Sequence, residues 1–133
     1  MPKYQISYKV NWCNQIGLKM LLFLALVMVT WQALSPSPAQ ATQLIDDKMG
    51  HALVFLFLAI ISDHAFATTA FNWKKALWLM FYGVAIEVLQ HFIPGRDFSF
   101  LDMLADASGL LIYFILTKTL IQRIPTPPRQ LTP

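Results

Sequence analysis

The sequence predicts an all-α integral membrane protein, a four-helix bundle with both termini in the cytoplasm. Of its 133 residues, 56% are hydrophobic and 13% are charged, whereas about 25% are charged in an ordinary soluble domain. Four apolar stretches each approach the roughly 20 residues that a helix needs to cross a bilayer. Lys and Arg are distributed unevenly among the segments between these stretches. The composition argues against a disordered chain, a water-soluble core and a soluble nucleic-acid-binding protein.

The four predicted spans follow one another at short intervals. They cover residues 18–34, 48–67, 76–93 and 101–117. Pro36 and Pro38 stop the first span, because a residue that precedes proline disfavours the helical conformation. Residues 34–41 also end in the Ala-x-Ala pattern of a signal-peptide cleavage site, and cleavage there would leave three spans. The long segment before the first apolar stretch and the length of that stretch favour a retained span.

The positions of Lys and Arg predict the orientation, because an excess in short loops marks the cytoplasmic side. Eight of the ten fall on one side: Lys3, Lys9, Lys19, Lys74, Lys75, Lys118, Arg123 and Arg129. Only Lys48 and Arg96 fall on the other. We therefore expect a cytoplasmic segment over residues 1–17, a membrane domain over residues 18–117 and a Pro-rich cytoplasmic tail over residues 118–133. The predicted location is the plasma membrane, which the chain crosses several times.

A carboxylate inside the third span indicates either a functional group or a contact between helices. Glu87 lies seven residues before Pro94, which at 1.5 Å per residue is about 10 Å inside the membrane. Insertion of a carboxylate costs about 2.5 to 3.5 kcal/mol, so we expect Glu87 to have a partner or a proton. Gln90 and His91 follow at three and four residues and share its face. The structural alternative for Glu87 is a fastener that pairs with a nearby His or Arg.

Spans two and four begin with polar pairs of the same spacing. Asp47 and His51 are four residues apart and therefore share a helix face, with Lys48 at the membrane interface. Asp102 and Asp106 are also four residues apart. Three different helices thus bring polar groups to the outer side of the predicted membrane domain and to similar depth.

Local motifs accompany this arrangement. Residues 94–97 predict a tight turn, and Ser99 or Asp97 is suited to cap the helix that follows. Ala105 and Gly109 form a pair of small residues that allows two helices to approach closely.

These observations predict one outward-facing polar pocket. Its predicted ligand-binding residues are Asp47, Lys48, His51, Glu87, Gln90, Arg96, Asp102 and Asp106. Glu87, His51 and Asp102 are also the candidates for catalysis, although the sequence leaves a catalytic role open. Asp63 and His64 lie at the opposite end of span two, where we expect them only to mark the interface.

The same residues resemble the signature of the VanZ-like family of small membrane proteins. The resemblance consists of Asp47-Lys48-x-x-His51, Glu87-x-x-Gln90, Arg96-x-x-Ser99-x-x-Asp102 and Gly109. It covers about residues 18–117 and implies a four-helix membrane arrangement. It also implies a link to glycopeptide resistance, since the family is named after a factor that lowers sensitivity to teicoplanin. The chain departs from the family at Asp106, where Asn is usual, which puts in doubt any function that needs a neutral amide there.

Two functions from different classes fit the predicted pocket. The first is binding of an anionic ligand of the cell envelope, such as a lipid-linked cell-wall precursor or a glycopeptide-related molecule, with Arg96 and Lys48 supplying charge. The second is an enzyme that acts on a lipid-linked substrate with Glu87 or His51 as general acid or base. Membrane lipids are expected partners, no nucleic acid and no cofactor are expected, and the oligomeric state is left open.

Metal binding and proton-coupled transport are weaker alternatives. A metal site would draw on imidazole and carboxylate groups from His51, Glu87, His91 and Asp102 or Asp106. No compact ligand motif such as H-E-x-x-H is present, so no metal site is expected. Proton transport needs polar groups across the whole membrane, whereas residues 76–86 are apolar except for Tyr82.

Overall fold

The computed structural model describes residues 12–35, 44–96 and 98–123, and over these residues the chain is helical with short connections. The helices are α1 (Trp12–Leu34), α2 (Leu44–Ala65), α3 (Trp73–Gln90) and α4 (Phe100–Arg123). The predicted all-α class is confirmed. The cleavage motif that ends at residue 41 and the Pro-rich residues of the tail lie outside the described residues.

Three of the four helices are long and apolar enough to cross a membrane, judged by length and composition. They are Asn14–Leu34, Asp47–Ala65 and Phe100–Leu120. The described helix α3 is not among them, and its eighteen residues include the charged side chains of Lys74, Lys75 and Glu87. The predicted third span, residues 76–93, therefore corresponds to a helix whose membrane crossing stays a prediction, as does the orientation of the termini.

Polar side chains set the starts of α3 and α4. The Asn72 side chain accepts hydrogen bonds from the backbone N–H groups of Lys74, at 3.0 Å, and Lys75, at 3.2 Å, as expected of an N-cap. At α4, Ser99 Oγ accepts the backbone N–H of Asp102 at 3.3 Å. Ser99 is thus one of the two predicted caps, and the other, Asp97, lies outside the described residues.

The chain turns sharply between α3 and α4. Helix α3 ends at Gln90, three residues before the predicted end of the span, and continues as a tight turn in which the Ile93 N–H binds the Gln90 carbonyl at 2.9 Å. Pro94 follows and cannot extend a helical hydrogen-bond ladder. Gly95 has a φ of 81°, a left-handed conformation that glycine adopts without steric cost. The predicted turn over residues 94–97 is confirmed up to residue 96.

Helix α2 is central, since it contacts the other three helices and packs most extensively against α4. Gly109 makes this close packing possible. A Cβ atom at Gly109 would collide with the Ala52 carbonyl oxygen and lie 2.9 Å from the Leu56 nitrogen. The predicted close approach at Gly109 is therefore confirmed. Phe55 and Leu58 are buried in the apolar core around this crossing.

Successive helices run in alternating directions. At one end, the last turn of α1 and the starts of α2 and α4 meet the loop after α3, as shown by the Arg96 contact with Ser35 and the Lys48 contact with Asp102. At the other end, the Lys19 amino group lies 5.5 Å from the Phe66 ring centroid. The described Lys19, Lys74 and Lys75 are therefore distant in the fold from Lys48 and Arg96, matching the predicted segregation of basic residues.

Large apolar side chains are exposed on all four helices. Examples are Met28 and Trp31 on α1, Phe57 on α2, Trp78 on α3 and Ile115 on α4, with Trp78 75% exposed. Water-soluble proteins rarely expose contiguous apolar surface on this scale. An apolar exterior around a partly polar interior is the distribution expected where lipid replaces water.

Candidate functional site

All eight residues of the predicted ligand-binding set lie at one end of the helices. Asp47, Lys48 and His51 are in the first turns of α2, and Asp102 and Asp106 are in the first turns of α4. Glu87 and Gln90 are in the last turn of α3, and Arg96 is in the loop that follows. We call this group the polar site; its role in binding stays a prediction.

A histidine and two carboxylates form the centre of the polar site. His51 Nδ1 lies 2.9 Å from Asp106 Oδ1, which is hydrogen-bonding distance. The other ring nitrogen, Nε2, lies 4.0 Å from Asp102 Oδ2, too far for a hydrogen bond. Asp106 is 1% exposed, so its bond to the imidazole satisfies a carboxylate that water does not reach. The arrangement fixes the His51 ring and directs Nε2 towards Asp102.

Two further acidic or basic groups extend this centre. Lys48 Nζ donates a hydrogen bond to Asp102 Oδ1 at 3.1 Å, and the Lys48 side chain is 31% exposed. Asp47 stands one turn before His51 on α2, and a carboxylate oxygen of Asp47, a ring nitrogen of His51 and a carboxylate oxygen of Asp102 all lie within 4.8 Å of one another. The part of the polar site contributed by α2 and α4 thus combines three carboxylates, an imidazole and an amine.

Glu87 joins the polar site from α3. Its Oε2 accepts the backbone N–H of Ser99 at 3.0 Å, which ties the end of α3 to the start of α4. Its Oε1 is buried and has no hydrogen-bond partner among the described residues. Glu87 interacts electrostatically with Asp102, His51 and Asp106. In the structural alternative, Glu87 pairs with a His or Arg side chain. Its Oε2 instead accepts a backbone N–H, and its Oε1 is left available.

Gln90 and Arg96 reach the last turn of α1. Gln90 Nε2 donates to the Ala33 carbonyl at 3.0 Å. One Arg96 Nη atom lies 3.5 Å from the carbonyl oxygens of both Gln32 and Ser35, which are long hydrogen bonds. The buried Arg96 Nε has no acceptor among the described residues. Both side chains hold α1 against the rest of the protein, and Arg96 keeps an unused donor.

A cavity of about 640 Å³ adjoins the polar site. Its polar wall includes Asp47, His51, Gln90, Arg96 and Asp106. Its apolar wall is formed by side chains of α1, α2 and α3, namely Val27, Met28, Val29, Trp31, Ala33, Val54, Phe55 and Ile86. Five of the eight predicted residues therefore line a single cavity.

Two contributors to the polar site and its cavity were absent from the predicted site. The α1 wall could not be anticipated, because α1 has no polar residue of obvious chemical function. Gly83 is the second contributor: a Cβ atom there would lie 2.7 Å from Asp106 Oδ2 and 2.8 Å from Phe55 Cζ. A signal for Gly83 did exist, since it precedes Glu87 by four residues and so lies on the same helix face.

Other polar residues lie outside the polar site. His91 is exposed, with its ring centroid 5.6 Å from that of Phe92, and it does not belong to the described group of possible metal ligands. Asp63, at the opposite end of α2, accepts a hydrogen bond from Lys75 Nζ at 2.8 Å and another from the Tyr113 hydroxyl at 3.0 Å. Asp63 is thus a paired residue between three helices.

Comparison with protein-family models, curated proteins and solved structures finds no match to this chain. The resemblance to the VanZ-like family therefore stays a prediction from the sequence motifs.

Proposed function

We propose that this chain is a VanZ-like, multi-pass protein of the plasma membrane whose polar site binds an amphiphilic ligand of the cell envelope. The ligand would have an anionic head group and an apolar body, as a lipid-linked cell-wall precursor has. The observation that carries the proposal is the cavity of about 640 Å³ that leads from apolar walls to Arg96, His51 and Gln90.

The size and lining of the cavity support an amphiphile. Small-molecule sites commonly measure about 300 to 1,000 Å³, with mostly apolar walls and a few polar groups that orient the ligand. Here the apolar wall includes Val27 and Met28 of α1, and the polar groups gather at the end of α3. An acyl or isoprenoid chain fits such walls, and a head group fits the polar end.

Arg96 supports an anionic head group. Its Nε has no described acceptor, and its Nη bonds to two α1 carbonyls are long. The planar guanidinium binds phosphate and carboxylate oxygens through two parallel hydrogen bonds. A head group that binds this guanidinium would give the unused donor an acceptor.

The exterior of α3 supports a fourth membrane crossing. Leu77, Trp78, Phe81, Val88 and Leu89 are large apolar side chains exposed along its length. With four crossings and an excess of basic residues on the cytoplasmic side, the polar site faces outwards.

Thiol labelling tests this topology. Cys13 is the only cysteine, and in intact cells we expect it to resist a membrane-impermeant maleimide. In a Cys13→Ser background, Thr119→Cys should also resist and Phe98→Cys should react. Labelling of Thr119→Cys together with protection of Cys13 would show three crossings and exclude α3 as a span.

Ligand binding is tested with the intact protein in mild detergent. Mass spectrometry of wild type should detect a retained anionic lipid, and Arg96→Gln should lose it. Lys74→Gln is the matched control, because Lys74 is an exposed cation at the opposite end. Equal lipid retention by wild type and Arg96→Gln would contradict the proposal.

Teicoplanin susceptibility tests the family role separately. A Gram-positive host would express wild type or Glu87→Gln at membrane levels matched by immunoblot. Protection by wild type alone is the expected result, because Glu87 places a buried carboxylate next to Asp102 and Asp106. If neither protein protects, resistance is not the function of this chain, and copurifying lipids become the guide.

The His51–Asp106 pair favours an enzyme as the second candidate. A carboxylate that binds one ring nitrogen orients the other as a general base or acid, and both residues line the cavity. An enzyme should lose turnover in His51→Gln or Glu87→Gln while retaining its lipid. A binding protein should lose the lipid in Arg96→Gln and show no turnover in any variant.

A further inference from the structure

We propose that Asp47, His51 and Asp102 bind a divalent transition-metal ion, Mn²⁺ or Zn²⁺, at the mouth of the polar site. This inference rests on the proposed function in one respect: the ion would supply positive charge for the anionic head group. The metal site itself is carried by geometry and charge.

The first argument is the convergence of three ligand atoms. Asp47 and His51 share a face of α2, and Asp102 approaches from the first turn of α4, so that the three atoms lie within 4.8 Å of one another. His51 Nε2 and Asp102 Oδ2 are 4.0 Å apart. That separation is too long for a hydrogen bond, whereas two ligands each about 2.0 to 2.2 Å from one ion are separated by up to about 4.4 Å. The atoms are therefore close enough to converge on one ion, whose tetrahedral coordination, with ligands about 3.4 Å apart, would draw them closer together.

The second argument is the orientation of the His51 ring. Histidines that bind metals usually give their other ring nitrogen to a carboxylate or carbonyl, which fixes the ring and its tautomer. His51 Nδ1 is 2.9 Å from Asp106 Oδ1, and Asp106 is 1% exposed. Gly83 leaves the space that Asp106 occupies. The ring is thus held with Nε2 directed towards Asp102.

The third argument is charge. The described polar site contains four carboxylates, Asp47, Glu87, Asp102 and Asp106, and two permanently basic side chains, Lys48 and Arg96. As a formal count with a neutral imidazole, the carboxylates exceed the basic side chains by two, a difference that one divalent ion balances. Glu87 adds an independent indication, because it is 1% exposed and its Oε1 has no described hydrogen-bond partner.

Lys48 allows a test that distinguishes a metal site from a purely structural network. Its amine binds Asp102 Oδ1, whereas Oδ2 of the same carboxylate faces His51. An ion at the proposed position would be repelled by this amine. Lys48→Met should therefore bind the ion several-fold more tightly than wild type.

The experiment measures metal binding by the full chain in detergent after treatment with EDTA and dialysis. Mn²⁺ is titrated by electron paramagnetic resonance and Zn²⁺ by calorimetry. We expect one ion per chain, and we expect Asp102→Asn and His51→Gln to weaken binding at least about tenfold. His91→Gln is the matched control, because it removes an exposed imidazole outside the polar site, and it should bind as wild type does.

Several results would overturn the metal site. They are no binding by wild type up to about 1 mM metal, which corresponds to about −4 kcal/mol, undiminished binding by Asp102→Asn, and weaker or unchanged binding by Lys48→Met. Circular dichroism and gel filtration verify the fold of each variant. If Asp102→Asn fails to fold, His51→Gln and Lys48→Met decide the question through their opposite expected effects.

The metal assay and the lipid assay fail independently, because the first uses the metal alone. Lipid retention that depends on Arg96, combined with no metal binding, would refute the ion and leave the proposed function in place. Metal binding without any retained lipid would refute the proposed function and leave the metal site in place. Loss of the lipid on EDTA treatment, with recovery on adding Mn²⁺, is expected when both are correct.

Discussion

The two ends of the helices each contain a Lys–Asp pair, and the pairs differ in how completely they are bonded. Lys75 donates to Asp63 Oδ1 at 2.8 Å and also to the carbonyls of Phe66, at 2.9 Å, and Thr69, at 2.6 Å. Asp63 Oδ2 accepts the Tyr113 hydroxyl. Lys48 binds Asp102 alone among the described residues and is about one-third exposed. The first pair is a completed fastener, whereas the second belongs to a site in which Glu87 and Arg96 each keep a buried polar atom without a described partner.

Open space is present at both ends. Near Asp63, the Phe71 and Tyr113 rings meet edge to face with centroids 4.9 Å apart, and a cavity of about 950 Å³, lined in part by Phe66, Thr69 and Lys75, lies at this end. Near the polar site, Gly83 makes room for Asp106, and Gly109 allows α2 and α4 to touch. The bonding of the buried polar groups, and not open space, therefore distinguishes a region suited to binding from one suited to stability.

The largest expected effect is at the fastener. Lys75→Met leaves the Asp63 carboxylate without its cation, and the Asp63 side chain is only 17% exposed. Loss of one partner from a buried pair costs about 3 kcal/mol or more. Denaturant unfolding in detergent, followed by circular dichroism, measures the loss. Lys74→Met is the control, because that exposed amine lies over the Trp73 ring at 5.8 Å and should cost little. Equal losses for the two lysines would contradict the comparison.

The next effect tests the close packing of the polar end. Gly109→Ala pushes a methyl group into the α2 backbone at Ala52, and overpacking of this kind costs about 1 to 3 kcal/mol. We expect the upper part of this range, because backbone atoms cannot move aside as a side chain can. Gly50→Ala is the matched control: its Cβ would have no atom within 4 Å, and the helix should gain about 0.5 to 1 kcal/mol. The same unfolding assay separates the two variants.

A smaller effect is expected for the second lysine. Lys48→Met should cost about 1 kcal/mol or less, because partly exposed pairs contribute little. The direct comparison is with Lys75→Met in the same assay. A loss from Lys48→Met as large as that from Lys75→Met would mean that both ends serve stability, and the distinction drawn between them would fail.

The smallest effect on stability is expected at Glu87. Glu87→Gln keeps an oxygen that can accept the Ser99 N–H and removes the charge of a buried carboxylate. We expect the unfolding free energy to change by about 0.5 kcal/mol or less, since a neutral amide is cheaper to bury than a carboxylate. A loss above about 2 kcal/mol would identify Glu87 as a fastener rather than a functional group. The teicoplanin assay then reports on function at unchanged stability.

The sequence predicted the helices and the faces of the polar residues because both follow from local periodicity. Spacings of four placed Asp47 with His51 and Asp102 with Asp106, and the structure keeps both pairs on shared faces. Turn and cap chemistry were equally local, as Gly95 and Ser99 illustrate. Helix ends were less accurate, because apolar length measures the thickness of a bilayer and not the extent of a helix; α1 begins at Trp12, six residues before the predicted span.

Contacts between helices could not be predicted from the sequence, because they depend on how far each helix is rotated about its axis. Asp63 was expected only to mark the interface and instead pairs with Lys75 from α3 and Tyr113 from α4. His91 shares a helix face with Glu87 by spacing but lies beyond the last residue of α3, where the chain turns and the ring is exposed. The sequence therefore predicted which end of the helices holds the polar site, but not which side chains contact one another.

The attachment of α1 has a consequence for how freely its amino-acid sequence can change. Gln90, Arg96 and Tyr82 reach backbone carbonyls of α1, at Ala33, Gln32, Ser35 and Leu26. A carbonyl oxygen is present whichever side chain its residue carries, so these bonds constrain the position and length of α1 but not its composition, except at Thr30, whose hydroxyl lies 2.9 Å from the Tyr82 hydroxyl. Relatives of this protein could therefore diverge along α1 while remaining superimposable, and exchanging α1 among them is a route to altering the shape of the cavity without disturbing its polar end.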